Sequence, residues 1–358
     1  MGTVTRESVL EQLRTVQDPE LHKDIVSLNM VKDIVVRGSR VEVHLELTTP
    51  ACPMREQIKT DVEAAVRRVA GVEAVEIQWS ALVRSSRGGS TVLPGVKNVV
   101  AVGAGKGGVG KSTAAVLLAY GLHRSGATVG LMDSDVYGPS IPTMVGVEGH
   151  KPRVTGNMIV PPTAGGVKIM SIGFMVDRDK PLIWRGPMAH GVVKQFLEQV
   201  EWGELDYLIV DLPPGTGDVP LSLAQQIPMT GSVVICTPQD VALIDARRAV
   251  KMYEQLNVPC LGIIENMSYY LCPKCGHRDE LFDHGGAAAA AKDLGVPFLG
   301  EIPLNAKIRV HGDSGMPEKL FTDTPDFVRA AIDRVVANTA GQVSIRSASR
   351  EAPTLTVE

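Results

Sequence analysis

The sequence is short of cysteine, of net charge and of long apolar runs, and each shortage removes a class of function. Five cysteines in 358 residues are few and odd in number, which excludes a disulfide framework and fits a reducing compartment. A net charge of −4 argues against a general nucleic-acid surface. No uninterrupted apolar stretch is long enough to span a bilayer. The start, MGTVTRES, lacks the apolar core of a signal peptide, and Arg6 breaks the myristoylation pattern that Gly2 would open. The late segment FVRAAIDRVVANTAG has no basic-aromatic face for lying on a membrane. These absences predict a cytoplasmic protein with neither nucleic acid nor membrane as partner. What is present is an apolar share of 44%, ordinary for a soluble globular chain, and room for two domains with a sizeable core.

The densest chemistry lies in Val99 to Thr113, VVAVGAGKGGVGKST. Val99, Val100, Ala101 and Val102 fit a buried strand, and AAVLLAYGL beyond Thr113 fits a helix. Gly105 to Ser112 follows G-x-x-x-x-G-K-[ST] in the strand–loop–helix setting that this phosphate-cradling pattern requires. Its glycines let backbone N–H groups approach and point at phosphates, and the helix N-terminus adds its positive dipole end. The expected cradle is therefore Gly105, Lys106, Gly107, Gly108, Val109, Gly110, Lys111, Ser112 and Thr113. Within it Lys111 reaches the β- and γ-phosphates and Ser112 is a Mg²⁺ ligand.

From Lys97 onward strands and helices alternate, as a doubly wound parallel α/β sheet requires. ATVGLMDSD (Ala127 to Asp135) reads as a strand ending in two carboxylates, Asp133 and Asp135. A carboxylate there orients a water or a hydrated Mg²⁺, or else merely shapes a strand-end turn. LDYLIVD closes on Asp211 and is followed by DLPPGTGD. That pattern predicts a second Mg²⁺ element, Asp211, and a hinged loop able to sense the γ-phosphate. SVVIC (Ser232 to Cys236) and Leu261 to Ile264 are further strands, so Cys236 and Cys260 read as small core residues. Asn266, in ENMS, lacks the neighbouring lysine and aspartate usual in GTPases.

The octet GKGGVGKS, with its early Lys106, resembles the deviant P-loop of the septum-site, partition, arsenite-pump and nitrogenase-iron-protein ATPases. The resemblance implies that Lys106 crosses a dimer interface to the partner's nucleotide. It further implies that Asp135 heads the first switch and handles the attacking water, and that Asn266 reads an adenine edge, hence ATP. The catalytic set expected on these grounds is Lys106, Lys111 and Asp135.

Residues 1–84 read as a small α+β domain. A helix over 5–16 has Thr5 as its cap, a hairpin turns at Gly38, and Met54, Ile58, Val62, Val66 and Val69 mark a second helix. Val72 to Trp79 offers one more strand. The DPE at Asp18 to Glu20 and TTPACP at Thr48 to Pro53 make this unit resemble the SufT-like iron–sulfur assembly factors. Cys52 is then either a thiolate for cluster or metal handling or a half-buried loop cysteine. A Ser/Gly-rich, flexible linker is expected over 85–96 and a P-loop ATPase domain over 97–340. The last helix is expected to end near Ala337, leaving a disordered polar tail over 341–358.

A second site is CPKCGH, where Cys272 and Cys275 aim two thiolates at one centre. A thioredoxin-type pair needs the start of a helix in its own βαβ fold, which this is not. A zinc site within one chain could recruit His277 and His284. A [4Fe–4S] cluster needs four thiolates; one chain offers two and a symmetric dimer offers four at its axis. The arithmetic favours sharing between two subunits. Taken together, the N-terminal domain, GKGGVGKS, MDSDVYGPS, DLPPGTGD, ENMS and CPKCGH resemble the Mrp/ApbC-type iron–sulfur cluster carrier ATPases over nearly all of the chain. The resemblance implies a homodimer that hydrolyses ATP with Mg²⁺. It would hold a [4Fe–4S] cluster on Cys272 and Cys275 and serve recipient apo-proteins alongside cluster assembly factors. Two other classes stand beside it: a positioning or partition-type ATPase, and a zinc-stabilised nucleotide-binding scaffold.

Overall fold

Strict apolar alternation builds the first unit. In a computed structural model, which describes residues 4–86, 92–175 and 186–350, α1 (Arg6–Leu13) opens on a capping box. The Ser8 N–H donates to Thr5 Oγ1 and the Thr5 N–H to Ser8 Oγ, each at 3.2 Å. β1 (Val31–Arg37) and β2 (Arg40–Leu47) pair antiparallel across Gly38, whose φ of +65° suits the tight turn. After α2 (Arg55–Val66), β3 (Ala74–Ala81) returns parallel to β2. Val41, Val43, Leu45 and Leu47 all point inward and meet Val9 and Leu13 of α1 and Ile58 and Val62 of α2. Alternate residues of a strand face opposite ways, so one face of this sheet is dry.

The larger unit is continuously apolar in its strands, because both faces are covered. Its elements run β4 (Val96–Gly103), α3 (Lys111–Arg124), β5 (Val129–Asp133) and α4 (Ile141–Met144). A small ribbon of β6 (Arg153–Thr155) and β7 (Met158–Val160) follows, then β8 (Thr163–Ala164) and β9 (Val167–Ser171). Next come α5 (Gly186–Glu198), β10 (Leu205–Asp211), α6 (Asp218–Gln226), β11 (Gly231–Cys236) and α7 (Asp240–Gln255). The chain continues through β12 (Cys260–Leu271), β13 (Arg278–Asp279), α8 (Gly286–Leu294) and β14 (Phe298–Leu304). It closes with α9 (Ala306–Asp313), α10 (Lys319–Thr322) and α11 (Asp326–Arg350).

Among the described residues the parallel order is β9-β5-β10-β4-β11-β12-β14, with β8 and β13 antiparallel at the margins. Val100 and Val102 of β4 pack with α3 and α11, while Val99 and Ala101 pack with α5 and α7. β10 lies between β4 and β5, so the chain order reverses there. The crevice outside the carboxyl ends of these strands is where such sheets take ligands.

Two expectations about the chain's course are corrected. The segment from 341 is not a disordered tail as far as 350: α11 continues to Arg350, and Val343, Ser344 and Ser347 are buried. The serines satisfy their hydroxyls inside the helix, Ser344 Oγ donating to the Ala340 carbonyl and Ser347 Oγ to the Val343 carbonyl, both at 3.0 Å. This small-residue face is what lets the helix lie against the first unit. A Cβ at Gly341 would overlap the Glu20 carboxylate, and Ser344 and Ser347 line a small cavity with Leu21, Leu28 and Thr48. The linker over 85–96 is likewise anchored at its described ends, Ser86 bonding Thr230 at 2.7 Å and Leu93 lying buried. Residues 87–91 of it, and 351–358 of the tail, lie outside the described residues.

Candidate functional site

Local chemistry shapes the glycine loop. A Cβ at Gly105 would overlap the Asp245 carbonyl of α7, so the loop can hug that helix only without one. Gly110, at φ +84°, precedes Lys111 at the first turn of α3, and a Cβ there would strike the Asn266 amide. Gly107 and Gly108 are exposed, Val109 is buried and Lys106 is half-buried at the rim. Thr113 faces a cavity of about 750 Å³ next to the loop.

Four of the expected residues converge at the carboxyl edge of the sheet. Lys111 Nζ lies 2.5 Å from Asp211 Oδ1 and 3.3 Å from Asp135 Oδ2. The Ser112 hydroxyl donates to Asp211 Oδ2 at 2.6 Å. Burial pushes the Asp211 carboxyl up, against the opposing pull of Lys111. Asp135 Oδ1 accepts the N–H groups of Tyr137 and Gly138 at 3.1 and 3.3 Å, which fixes the carboxylate and turns Oδ2 to Lys111.

Asp133 and Asp135 divide their work. Register pairing sets Asp133 beside Asp211 on one side and Ser171 on the other. Its Oδ1 accepts the Asp135 N–H at 3.1 Å, and its Oδ2 accepts the Ser171 hydroxyl at 2.9 Å and the Ile141 N–H at 3.3 Å. Burial, and then the Asp211 charge, push it up to about 8. Asp133 is thus the fully buried brace of the turn that presents Asp135. Ser171 was not legible as part of the site, since only the β5–β9 pairing brings it there.

Asn266 donates from Nδ2 to the Val109 carbonyl at 2.8 Å and lines the 750 Å³ cavity with Met267, Pro303, Leu304, Asn305 and Arg309. It thus ties β12 to the glycine loop. The IPLN run at the end of β14 is the sequence signal by which the other wall of that cavity could have been found.

Cys272 and Cys275 sit in the turn between β12 and β13, at the margin of the sheet. The Cys272 N–H donates to the His277 carbonyl and the Gly276 N–H to the Cys272 carbonyl, both at 2.9 Å, and Gly276 has φ +72°. Cys275 is exposed. The Cys275 N–H first, then that of Lys274, point at the Cys272 sulfur and hold its thiol below the usual range. The two histidines do not complete a zinc site with them. His284 Nε2 instead meets Glu301 Oε2 at 2.6 Å. Among the described residues, three or more His, Cys, Asp or Glu side chains with ligand atoms within 4.8 Å of one another occur only at Glu265, His284 and Glu301. Cys52 is half-buried, and burial, reinforced by Glu20 and Asp18, pushes it up to about 12, so it is a thiol rather than a thiolate at neutral pH.

A family model described as NUBPL iron-transfer P-loop NTPase matches residues 95–340, and one described as iron–sulfur cluster assembly protein matches residues 6–79. This chain belongs to the iron-transfer P-loop NTPase family. Two curated relatives are both named iron–sulfur cluster carrier protein. One, from Synechocystis sp., is 47% identical, covering 96% of this chain and 99% of the relative. The other, from Deinococcus radiodurans, is 49% identical, covering 96% and 97%. Among solved structures, a nucleotide-binding protein from Archaeoglobus fulgidus in complex with ADP has a TM-score of 0.59 at 39% identity, covering 66% of this chain and 92% of that one. The cell division ATPase MinD from Pyrococcus furiosus, at 20% identity with a TM-score of 0.52 over 67% of this chain and 97% of its own, shares the fold. The fold class is that of a P-loop NTPase, an α/β domain behind a small α+β unit.

Proposed function

We propose that this chain is an ATP-hydrolysing carrier that takes a [4Fe–4S] cluster as cargo on Cys272 and Cys275 of two copies and hands it to apo-proteins. One observation carries the reading: β12 begins its contact with the glycine loop at Asn266 and ends one residue before Cys272. A single strand therefore spans the nucleotide crevice and the thiol turn. The names of the relatives from Synechocystis and Deinococcus support an iron–sulfur cluster as the cargo. The five thiols are all free, which fits a reducing cytoplasm, and no helix among the described residues is long and apolar enough to cross a membrane.

The ATP end follows from named atoms. Backbone N–H groups of Gly107 to Ser112 and the start of α3 would cradle the phosphates, with Lys111 as their counter-charge. Ser112 and Asp211 offer an all-oxygen pair that fits Mg²⁺ and would hold it. When bound, that ion neutralises charge on the β- and γ-phosphate oxygens. Asp135, pinned through Oδ1, orients the attacking water. Asn266 and the wall of the adjoining cavity take the adenine. Lys106 stands at the rim, where a second copy would receive it, so the working unit is a homodimer.

Cluster hand-over is ligand exchange. Each bond from iron to a Cys272 or Cys275 sulfur that breaks is replaced by one to an acceptor thiolate, with no change of oxidation state. After anaerobic reconstitution with iron and sulfide, the protein should load an apo [4Fe–4S] acceptor in the presence of a chelator. Loss of the iron to the chelator, with the acceptor left apo, would remove the carrier role. Lys106→Ala should bind ATP as the wild type does but hydrolyse it on the order of 100-fold more slowly. Full turnover in that variant would make Lys106 a solvated side chain.

A further inference from the structure

β12 and β14 set two glutamates side by side. Glu265 and Glu301 are direct partners in the parallel ladder, and like charges at opposed positions repel. Glu265 is fully buried, so water reaches the pair only from the side of the half-buried Glu301. The Ser268 hydroxyl lies 2.6 Å from Glu265 Oε1 and 3.2 Å from Glu301 Oε2, but its one proton serves one carboxylate at a time. Glu265 is further held by the N–H groups of Gly285 at 3.1 Å and Ala287 at 2.8 Å, at the start of α8. Glu301 turns to His284, Nε2 to Oε2 at 2.6 Å.

We propose that Glu265, His284 and Glu301 bind a divalent first-row transition ion at a site separate from the Cys272–Cys275 turn. Charge argues for it first. Glu280, 3.9 Å from His284 Nδ1, is offset by Arg278 at 3.5 Å. Two carboxylates with an imidazolium then leave one negative charge uncancelled beside the buried Glu265, whereas two carboxylates, a neutral imidazole and a dication cancel. The donor set argues next: one imidazole nitrogen and two carboxylate oxygens, without thiolate, suit Zn²⁺, Fe²⁺ or Co²⁺. The three donors lie within 4.8 Å of one another. Metal–ligand bonds of about 2.0–2.2 Å in a tetrahedral site put neighbouring donors roughly 3.4 Å apart. An ion would therefore part Nε2 and Oε2 from their present 2.6 Å and draw in the Glu265 oxygen. An outer layer is already in place, with Ser268 and the α8 N–H groups orienting Glu265 and the Tyr269 ring edge-on to His284 at 6.5 Å. The Arg278 guanidinium lies over that same Tyr269 ring at 4.1 Å. An ion on His284 therefore fastens the segment after the thiol turn to both strands beneath it.

The test uses the full chain carrying Cys272→Ser and Cys275→Ser, so that no thiolate of that turn can bind the probe, which is Co²⁺. One Co²⁺ per chain is expected, with visible d–d bands and no thiolate-to-cobalt charge-transfer band. Adding His284→Ala or Glu301→Gln should weaken binding at least ~10-fold, while binding of an ATP analogue persists as the check on folding. If His284→Ala also loses the analogue, the isosteric Glu301→Gln decides. Absence of Co²⁺ binding in the double serine protein, or an affinity unmoved by Glu301→Gln, would leave His284–Glu301 a plain ion pair and overturn the site.

Discussion

Lys111→Ala should lose ATP hydrolysis by 100- to 1,000-fold or more, about 3–4 kcal/mol of transition-state stabilisation, as expected for removal of one preorganised contact to a transferring phosphoryl group. Lys111 is buried and its ammonium is the cation that Asp211 and Asp135 share. Its removal therefore has a second consequence, because two buried carboxylates lose their counter-charge while Asp133 stands beside Asp211. Breaking such a pair from one side typically destabilises by about 3–5 kcal/mol. The Asp211 carboxyl, already pushed up by burial, then rises further and takes a proton. The deficit in stability should accordingly be smaller at pH 5 than at pH 8. Adding Asp211→Asn to Lys111→Ala should recover part of the lost stability but none of the turnover. An ATPase assay giving wild-type turnover for Lys111→Ala would remove the phosphate loop from the mechanism. An equal deficit of the variant against wild type at both pH values would contradict the shared-cation account.

The second large effect concerns the thiols. A [4Fe–4S] cluster takes four thiolates, and two copies of Cys272 and Cys275 supply four. Symmetry doubles any change, so Cys272→Ser or Cys275→Ser alone removes two ligands from the dimer. The reconstituted wild type should be brown, with about four cluster iron atoms and as many sulfides per two chains. Each single serine variant should be colourless and hold no sulfide-bridged iron, while ATP binding at Lys111 persists. His277→Ala and His284→Ala should both keep the cluster, since neither histidine joins the cysteines. The cluster surviving in either serine variant would rule out sharing. So would a brown wild-type protein that remains monomeric in sedimentation.

Much of this molecule was legible in the chain because the requirements are local. A strand of four apolar residues, glycines that must adopt positive φ or approach a neighbour closely, and a lysine at the first turn of a helix define a phosphate loop wherever they occur in that order. The capping box at Thr5 and Ser8 and the hairpin at Gly38 are similarly self-contained, since each is settled within a few residues. The pair Cys272 and Cys275 needed only its spacing to be seen.

What the tertiary structure decided is where distant side chains meet. Asp133 and Asp135 look alike in DSD, yet register with β10 and β9 sinks one between Asp211 and Ser171 and turns the other to Lys111. Ser344 and Ser347 read as solvent-loving tail residues, because nothing nearby in sequence tells of the first unit that buries them. His284 stood open as a zinc ligand beside the cysteines until the β12–β14 ladder brought Glu265 and Glu301 to it. Local pattern is written by the backbone's own few choices of dihedral and cap. Long-range placement depends on which strands become neighbours and in what register, and a shift of one residue there exchanges the buried face for the open one.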